Sequence, residues 1–406
     1  MASMEVRPIL SALRRHKVAA LSMAAQIALT LAVLSNALFI VVQRLDISRR
    51  PTGADEANVF FISNQWVGSE NLDARVDADL TALRQTPGVV DAFVSNAYPL
   101  ANGGWADGVG FAPDQPQVTH TALYFADEHA LSALGIALIG GRNFESSEIQ
   151  PFYNNDVRIP SSIIVTQDLA LKLFPRGDGL GKSVYLASFA HAVPIIGIVK
   201  RLEVPWVAGG VNQFDGNSTL LPFRHVNLYG HYLVRAAPGR INEVIRSVET
   251  TLNKLDRRRV IEKIRPLTVA RSVAYRDDRG LAVILTVVCA VLLTVTAFGI
   301  VGITSHWVAQ RRRQIGIRRA LGARRVDILR YFQIENLLIT ATGVIIGSAL
   351  ALLGNLWMVH HFAMARLDHR FVLGGAVGIL LLGQLAALWP ALRAALIPPA
   401  ATVRAL

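Results

Sequence analysis

Four apolar runs, near residues 18–42, 280–308, 334–359 and 371–394, constrain this chain more than anything else in it. Each is long enough to cross a hydrocarbon layer about 30 Å thick at about 1.5 Å per helical residue. Mean hydropathy is +0.38, and 52% of the 406 residues are hydrophobic. That is too apolar for one soluble globule and too polar for spans alone. The expected fold is a membrane protein with four transmembrane α-helices and a large α+β extracytoplasmic domain inserted between the first and second spans.

Charge orients the chain. Segment 44–279 holds 25 Lys+Arg and 25 Asp+Glu, so the formal net charge of +12 comes from the remainder. Gln310–Phe332 alone carries eight arginines and one acid, Asp327. Such density between two spans predicts a cytoplasmic loop. Arg7, Arg14, Arg15 and Lys17 before the first run, and Arg393 and Arg404 after the last, fall on the same side. Arg44, Arg49, Arg50, Arg276, Arg279, Arg366 and Arg370 flank the spans on the other, and the density of the central loop decides. Both termini are then cytoplasmic. The division is an N-terminus at 1–17, spans at 18–42, 280–308, 334–359 and 371–394, and an extracytoplasmic domain with stalk at 43–279. A cytoplasmic loop at 309–333, a short outer loop at 360–370 and a tail at 395–406 complete it. A high pI of this origin is a topology signal and excludes a nucleic-acid footprint. The first run offers a cleavage-like Ser35-Asn36-Ala37, but it continues apolar to Val42, which favours an uncleaved anchor over a signal peptide.

Inside 43–279, Ala57–Ser63, Val89–Val94, Ser162–Thr166, Ser183–Leu186, Val193–Val199 and Tyr232–Arg235 read as strands. Leu72, Val76, Leu80 and Leu83 recur at helical spacing before Pro87-Gly88. A short helix ends at Phe174, and Ile241 to Leu255 shows one apolar face. The mixed order suggests small sheets backed by helices. Asn102–Gln117 and Ala208–Asn217 read as loops. Arg257–Arg259 and Lys263–Arg279 read as a solvated helix face, or a stalk, leading back to the membrane. The one cysteine, Cys289, lies in the second run, so no disulfide within the chain can brace the domain.

Several motifs invite chemistry and resist it. Gly177–Ser183 lacks the glycine that a phosphate loop needs five residues before its Gly-Lys pair, position 176 being Arg, and it leads into a strand. It reads as a turn. His360, His361, Asp368 and His369 match no strong metal spacing and read as interface side chains at headgroup level. Gln26, Asn36, Asn355 and Gln384 are the polar exceptions inside the spans, and Glu335 stands at a span's cytoplasmic end. Without an intramembrane carboxylate or histidine relay, proton-coupled transport is disfavoured. Gly343–Gly347 and Gly374–Gly383 offer small faces for close helix packing, within or between subunits. No catalytic, metal or cofactor-binding residues are expected, and the chain is read as a non-catalytic subunit.

The loop Arg313-Gln-Ile-Gly-Ile-Arg-Arg-Ala-Leu-Gly-Ala-Arg324 resembles the R-E-I-G-I-x-x-A-L-G-A segment of FtsX-like, MacB-type ABC transporter permeases. Trp389–Ala395 and Pro398–Arg404 are similar to that family's closing pattern. Tyr124-Phe125, Gly140–Phe144, Ala170–Phe174, Leu180–Ser183 and Ile195–Val199 are similar to its extracytoplasmic domain. The resemblance implies a mechanotransmission-type permease in a bacterial inner membrane, homo- or heterodimeric, with its large domain periplasmic. It implies a cytoplasmic ABC ATPase subunit that binds the ATP and Mg, with membrane lipids, a periplasmic adaptor and an outer-membrane channel as further partners. The expected work is export or extraction of a peptide, lipopeptide, lipoprotein or drug-like substrate. The alternative is an ATPase-driven regulator or sensor acting on an envelope enzyme or peptide. By carry-over, Ile315, Gly316, Ile317, Arg318, Arg319, Ala320, Leu321, Gly322, Arg324 and Arg325 form the ATPase-coupling loop. Gln314 stands where the family usually has Glu, and the ATPase fused to some relatives has no counterpart in this sequence.

Overall fold

The structure, a computed structural model, describes residues 17–113, 115–153, 158–189, 191–206, 214, 216–362 and 365–396. Arg7, Arg14, Arg15, the Pro398–Arg404 pattern and most of the 208–217 loop lie outside the described residues. The chain divides into a membrane unit, Met1–Ile47 with Asp278–Leu406, and an inserted unit, Ser48–Asp277.

In the membrane unit, Lys17–Arg49, Arg276–Gln310, Arg325–Phe362 and His369–Ala395 are helices long and apolar enough to cross a membrane. They outlast the apolar runs, because long cationic side chains continue a helix readily once it leaves hydrocarbon. His360 and His361 are therefore helical, and Asp368 caps the fourth long helix by accepting from the Arg370 N–H at 2.9 Å. The first long helix sits at the centre. Ile27 and Leu31 are fully buried and share a cluster with Ile300, Ile339 and Ile379 of the other three. Gly343 and Gly347 serve this packing inside the chain: a methyl at Gly347 would stand 2.7 Å from the Ala28 carbonyl oxygen. The second long helix leaves Val283, Val287, Val291 and Phe298 exposed.

The intramembrane polar residues act as staples. Gln26 donates to the Val295 carbonyl at 3.2 Å, and the Thr30 and Thr296 hydroxyls meet at 2.8 Å. Asn36 donates to the Ala351 carbonyl at 3.2 Å, and Asn336 to the Gly383 carbonyl at 2.9 Å. Asn355 accepts from the Leu367 N–H at 2.8 Å. Each bond satisfies an amide or hydroxyl that lipid could not.

The strands of the inserted unit, in chain order, are β1 (Val59–Trp66), β2 (Val89–Ser95), β3 (Trp105–Gly110), β4 (Thr119–Phe125), β5 (Leu138–Gly141), β6 (Gln150–Phe152), β7 (Ile163–Thr166), β8 (Ser183–Leu186), β9 (Ala192–Val199), β10 (Ser218–Leu221), β11 (Phe223–His225), β12 (Tyr229–Ala236) and β13 (Arg259–Pro266). Helix Leu72–Gln85 joins β1 to β2, and helix Ile241–Leu255 joins β12 to β13. These four strands pair antiparallel in the order β13-β1-β12-β2. The result is a ferredoxin-like frame of two split β-α-β units. Phe60, Ile62 and Tyr232 on one sheet face pack with Leu80 and Leu83 of the first helix and Val248 and Leu252 of the second. Periods of two and of about 3.6 residues bring these apolar faces together.

The β13 strand corrects the helical reading of this basic stretch; helix resumes only over Leu267–Ala274. The reason is Arg259, whose fully buried guanidinium donates to both Asp79 oxygens at 2.6 and 2.7 Å. Asp79 also accepts from the Tyr232 hydroxyl at 2.7 Å. The Trp66 ring has Arg75 and Arg259 each 4.1 Å from its centre. A paired burial of this kind fixes β13 against β1, while exposed Lys263 and Arg265 charge its free edge. Further along, Arg271 donates to Glu56 at 2.7 and 2.6 Å and to the carbonyls of Ser48 and Arg50 at 2.8 and 2.7 Å. Burial pushes the Glu56 carboxyl up, but the hydrogen bonds from Arg271 and Thr52 and the Arg271 charge together outweigh it and hold the group below its usual range.

Between β2 and β12 the strands run β5-β9-β7-β10-β4-β3-β8, and β8 also pairs with β9. That last pairing closes six strands into a ring, with β5 added outside on β9. Val109, Leu123, Val165, Val184 and Ile195 gather in one cluster, while the alternating Ala122, Tyr124 and Ile164 join Phe61 and Phe93 of the frame in another. The reading of Asn102–Gln117 as loop is corrected by β3 inside it. Trp105-Ala-Asp-Gly-Val-Gly110 has poor strand propensity, and ring closure holds it in place. Gly141, at φ 77°, marks a corner: a side chain there would meet the Ile196 carbonyl oxygen at 2.1 Å. Gly177–Ser183 is a turn, with Gly177 and Gly181 at positive φ and β8 following.

Candidate coupling surface

The arginine-rich segment between the second and third long helices folds into a short helix, Arg312–Ala320, and a tight turn. The turn is encoded by Ala320-Leu321-Gly322. Gly322 takes φ 98°, its N–H reaches the Arg319 carbonyl at 3.2 Å, and the Ala323 N–H reaches the Arg318 carbonyl at 3.0 Å. This is a glycine-terminated Schellman motif, which satisfies the last carbonyls of the short helix. The next helix then starts at Arg325, with Asp327 accepting from the Arg324 N–H at 2.9 Å.

Three contacts seat the short helix on the membrane unit. Ile315 is buried in a cluster with Ile328, Phe332, Ala391 and Ala394. Arg311 donates to both oxygens of Glu335 at 3.0 and 2.8 Å, and Glu335 is 1% exposed. Arg319 donates to the Ala395 carbonyl at 2.7 Å, at the end of the fourth long helix, where a cation also meets the helix dipole.

The residues expected at this surface separate by direction. Ile315 and Gly316 point inward and hold the segment down, and Arg319 is half-buried. Ile317, Arg318, Ala320, Leu321, Gly322, Arg324 and Arg325 are exposed, Leu321 at 83% and Ile317 at 52%. Val326, also exposed, extends the apolar part. The motif did not reveal Arg311, Glu335, Tyr331 or Phe332. The one signal for them was an acid, Glu335, at a span end within reach of an arginine run. Elsewhere His361 stacks on Trp357 with ring centres 4.8 Å apart and contacts the Trp357 carbonyl. Among the described residues no three His, Cys, Asp or Glu side chains converge as a metal would require.

The geometry is an apolar, cation-rimmed knob on a rigid seat, suited to a partner's groove. Residues 22–251, more than half the chain, match the MacB-like periplasmic core domain, and residues 286–399 match the FtsX-like permease C-terminal domain. The macrolide export ATP-binding/permease protein MacB of Neisseria gonorrhoeae is 23% identical over 276 residues, 64% of this chain and 38% of that protein. The pyoverdine export ATP-binding/permease protein PvdT of Pseudomonas aeruginosa is 25% identical over 296 residues, 66% of this chain and 42% of that protein. The chain thus spans about two fifths of the length of these relatives. The periplasmic region of MacB from Actinobacillus actinomycetemcomitans, a solved structure, is 14% identical with a TM-score of 0.34, covering 56% of this chain and 97% of that one. The chain belongs to the FtsX-like, MacB-type family of ABC transporter permeases.

Proposed function

We propose that this chain is the membrane subunit of a mechanotransmission-type ABC transporter in a bacterial inner membrane. The short-helix surface faces the cytoplasm and docks on a nucleotide-binding subunit, and the inserted unit is periplasmic. ATP and Mg bind that partner. ATP-driven closure of two such subunits moves the short helices, and the rigid seat passes the movement to the long helices. The single observation carrying this reading is the exposed Ile317–Leu321 knob held on the buried Ile315 and Arg311–Glu335 contacts. The spans, in which Gln26, Thr30, Asn36 and Asn336 bond across to neighbouring helices, support work on the periplasmic side over passage between the helices.

The cargo class we infer is a peptide, lipopeptide, lipoprotein or drug-like compound, with an adaptor and outer-membrane channel carrying it onward. The test is mild-detergent purification from native membranes, followed by mass spectrometry. A stoichiometric nucleotide-binding subunit is the expected companion, and an adaptor beside it marks export. An envelope hydrolase in the adaptor's place marks a regulator. Purification without any nucleotide-binding subunit, even after crosslinking, overturns the reading.

A further inference from the structure

The charges on the Gln310–Phe332 segment do not balance among the described residues. Arg311 is matched by Glu335, and Arg319 lies on the Ala395 carbonyl. The one acid of the segment, Asp327, is engaged by the Arg324 N–H. Arg318 is exposed and has no carboxylate partner among the described residues; its guanidinium lies 5.2 Å over the Tyr331 ring. Beside it opens a hollow whose lining includes buried Ile315, Ile328 and Phe332, with Gln314 and Arg318 exposed at its margin.

An apolar floor beneath a single available cation fits a side chain with a hydrocarbon stem and an anionic tip. A guanidinium laid on an aromatic face keeps its N–H edge free for a bidentate carboxylate. The second cation in the wall, Arg311, already holds Glu335, so an incoming acid finds Arg318 alone. A lipid phosphate would meet the exposed Arg312, Arg313, Arg324 and Arg325 equally well and has no need of the hollow. We propose that this hollow receives a glutamate or aspartate side chain of the nucleotide-binding subunit, paired with Arg318 over the Tyr331 ring. The inference rests on the coupling reading above and names the chemistry of the partner's groove.

The test uses the full chain in its native membranes, with photoreactive benzoylphenylalanine in place of Gln314, irradiated and mapped by mass spectrometry. The expected crosslink falls on a nucleotide-binding subunit next to an acidic residue. Arg318→Glu, an exposed change that should leave elution in detergent unaltered, is expected to lower crosslink yield and retained partner by about tenfold, the scale of one lost charge-assisted pair. Arg318→Lys should lose less, and converting the partner's acid to lysine in the Arg318→Glu background should restore yield. If the partner co-purifies but the probe labels only lipid or a non-acidic segment, or Arg318→Glu binds as wild type, the hollow is not its receptor and the coupling reading stands. If no nucleotide-binding subunit co-purifies with the unaltered chain, the coupling reading itself falls.

Discussion

Removing the Glu335 carboxylate would leave the Arg311 guanidinium buried with its charge unmatched. Glu335→Gln should therefore cost about 3–5 kcal/mol, seen as a lower Tm in detergent, while Arg311→Met with Glu335→Leu should recover most of it. Equal Tm values for the single variant and wild type would show the pair to be solvated. Titration matters in the inserted unit. Burial depresses His225 and His231 to about 4, and burial raises Asp127 to about 6. The signs oppose. Between about pH 6.5 and 4 the unfolded histidines bind protons that the native ones refuse, so acid lowers stability. Between about pH 6 and 4 native Asp127 binds a proton that the unfolded carboxyl does not, so acid raises it. The two histidines outweigh Asp127 over this range, and Asp79, which burial also raises, acts on the side of Asp127. Tm should fall from about pH 7 to about pH 5, and Asp127→Asn, by deleting one opposing group, should steepen the fall; a shallower slope in that variant would contradict the assignment.

Helices and strands differ in how openly the sequence displays them. The four long helices were legible because a membrane demands an unbroken apolar run, and helix Ile241–Leu255 because one face is apolar throughout. The β3 strand was not, since its Gly108 and Gly110 look like turn residues and only one of its two partners, β4, is near in sequence, the other, β8, lying far along the chain. The β13 strand was hidden by its own charges, which belong on an edge but resemble a solvated helix in one dimension. At the packed helix pair, Gly347→Ala should force the first and third long helices apart or strain them, costing about 1–3 kcal/mol. Gly354→Ala, which meets nothing within 4 Å, is the matched control. Loss of Tm in both variants alike would trace the effect to something other than this contact.

At the scale of the whole molecule, the motif between the long helices carried the family resemblance but not the division of its side chains into buried and exposed. Spacing alone could not separate Ile315, which faces Phe332 and Ala391, from Ile317, which faces out. That division makes a prediction. Ile317→Asp with Leu321→Asp should leave the membrane unit folded but abolish partner-stimulated work, whereas Ile315→Asp should reduce folded yield itself by placing an unpaired charge in a packed cluster. Full activity of the double variant, with the partner bound, would remove the knob from the coupling path. The frame carries a mechanical consequence as well. Val59 begins β1 and Pro266 ends β13, and the two strands lie side by side and antiparallel. The chain therefore enters and leaves the inserted unit at the same end of one ladder. Loads that draw these two ends apart peel that ladder bond by bond, the weakest direction for a sheet, whereas loads that move them together never test it. Arg271, bridging Glu56, Ser48 and Arg50 at this open end, bears the peeling load before the first ladder bond does.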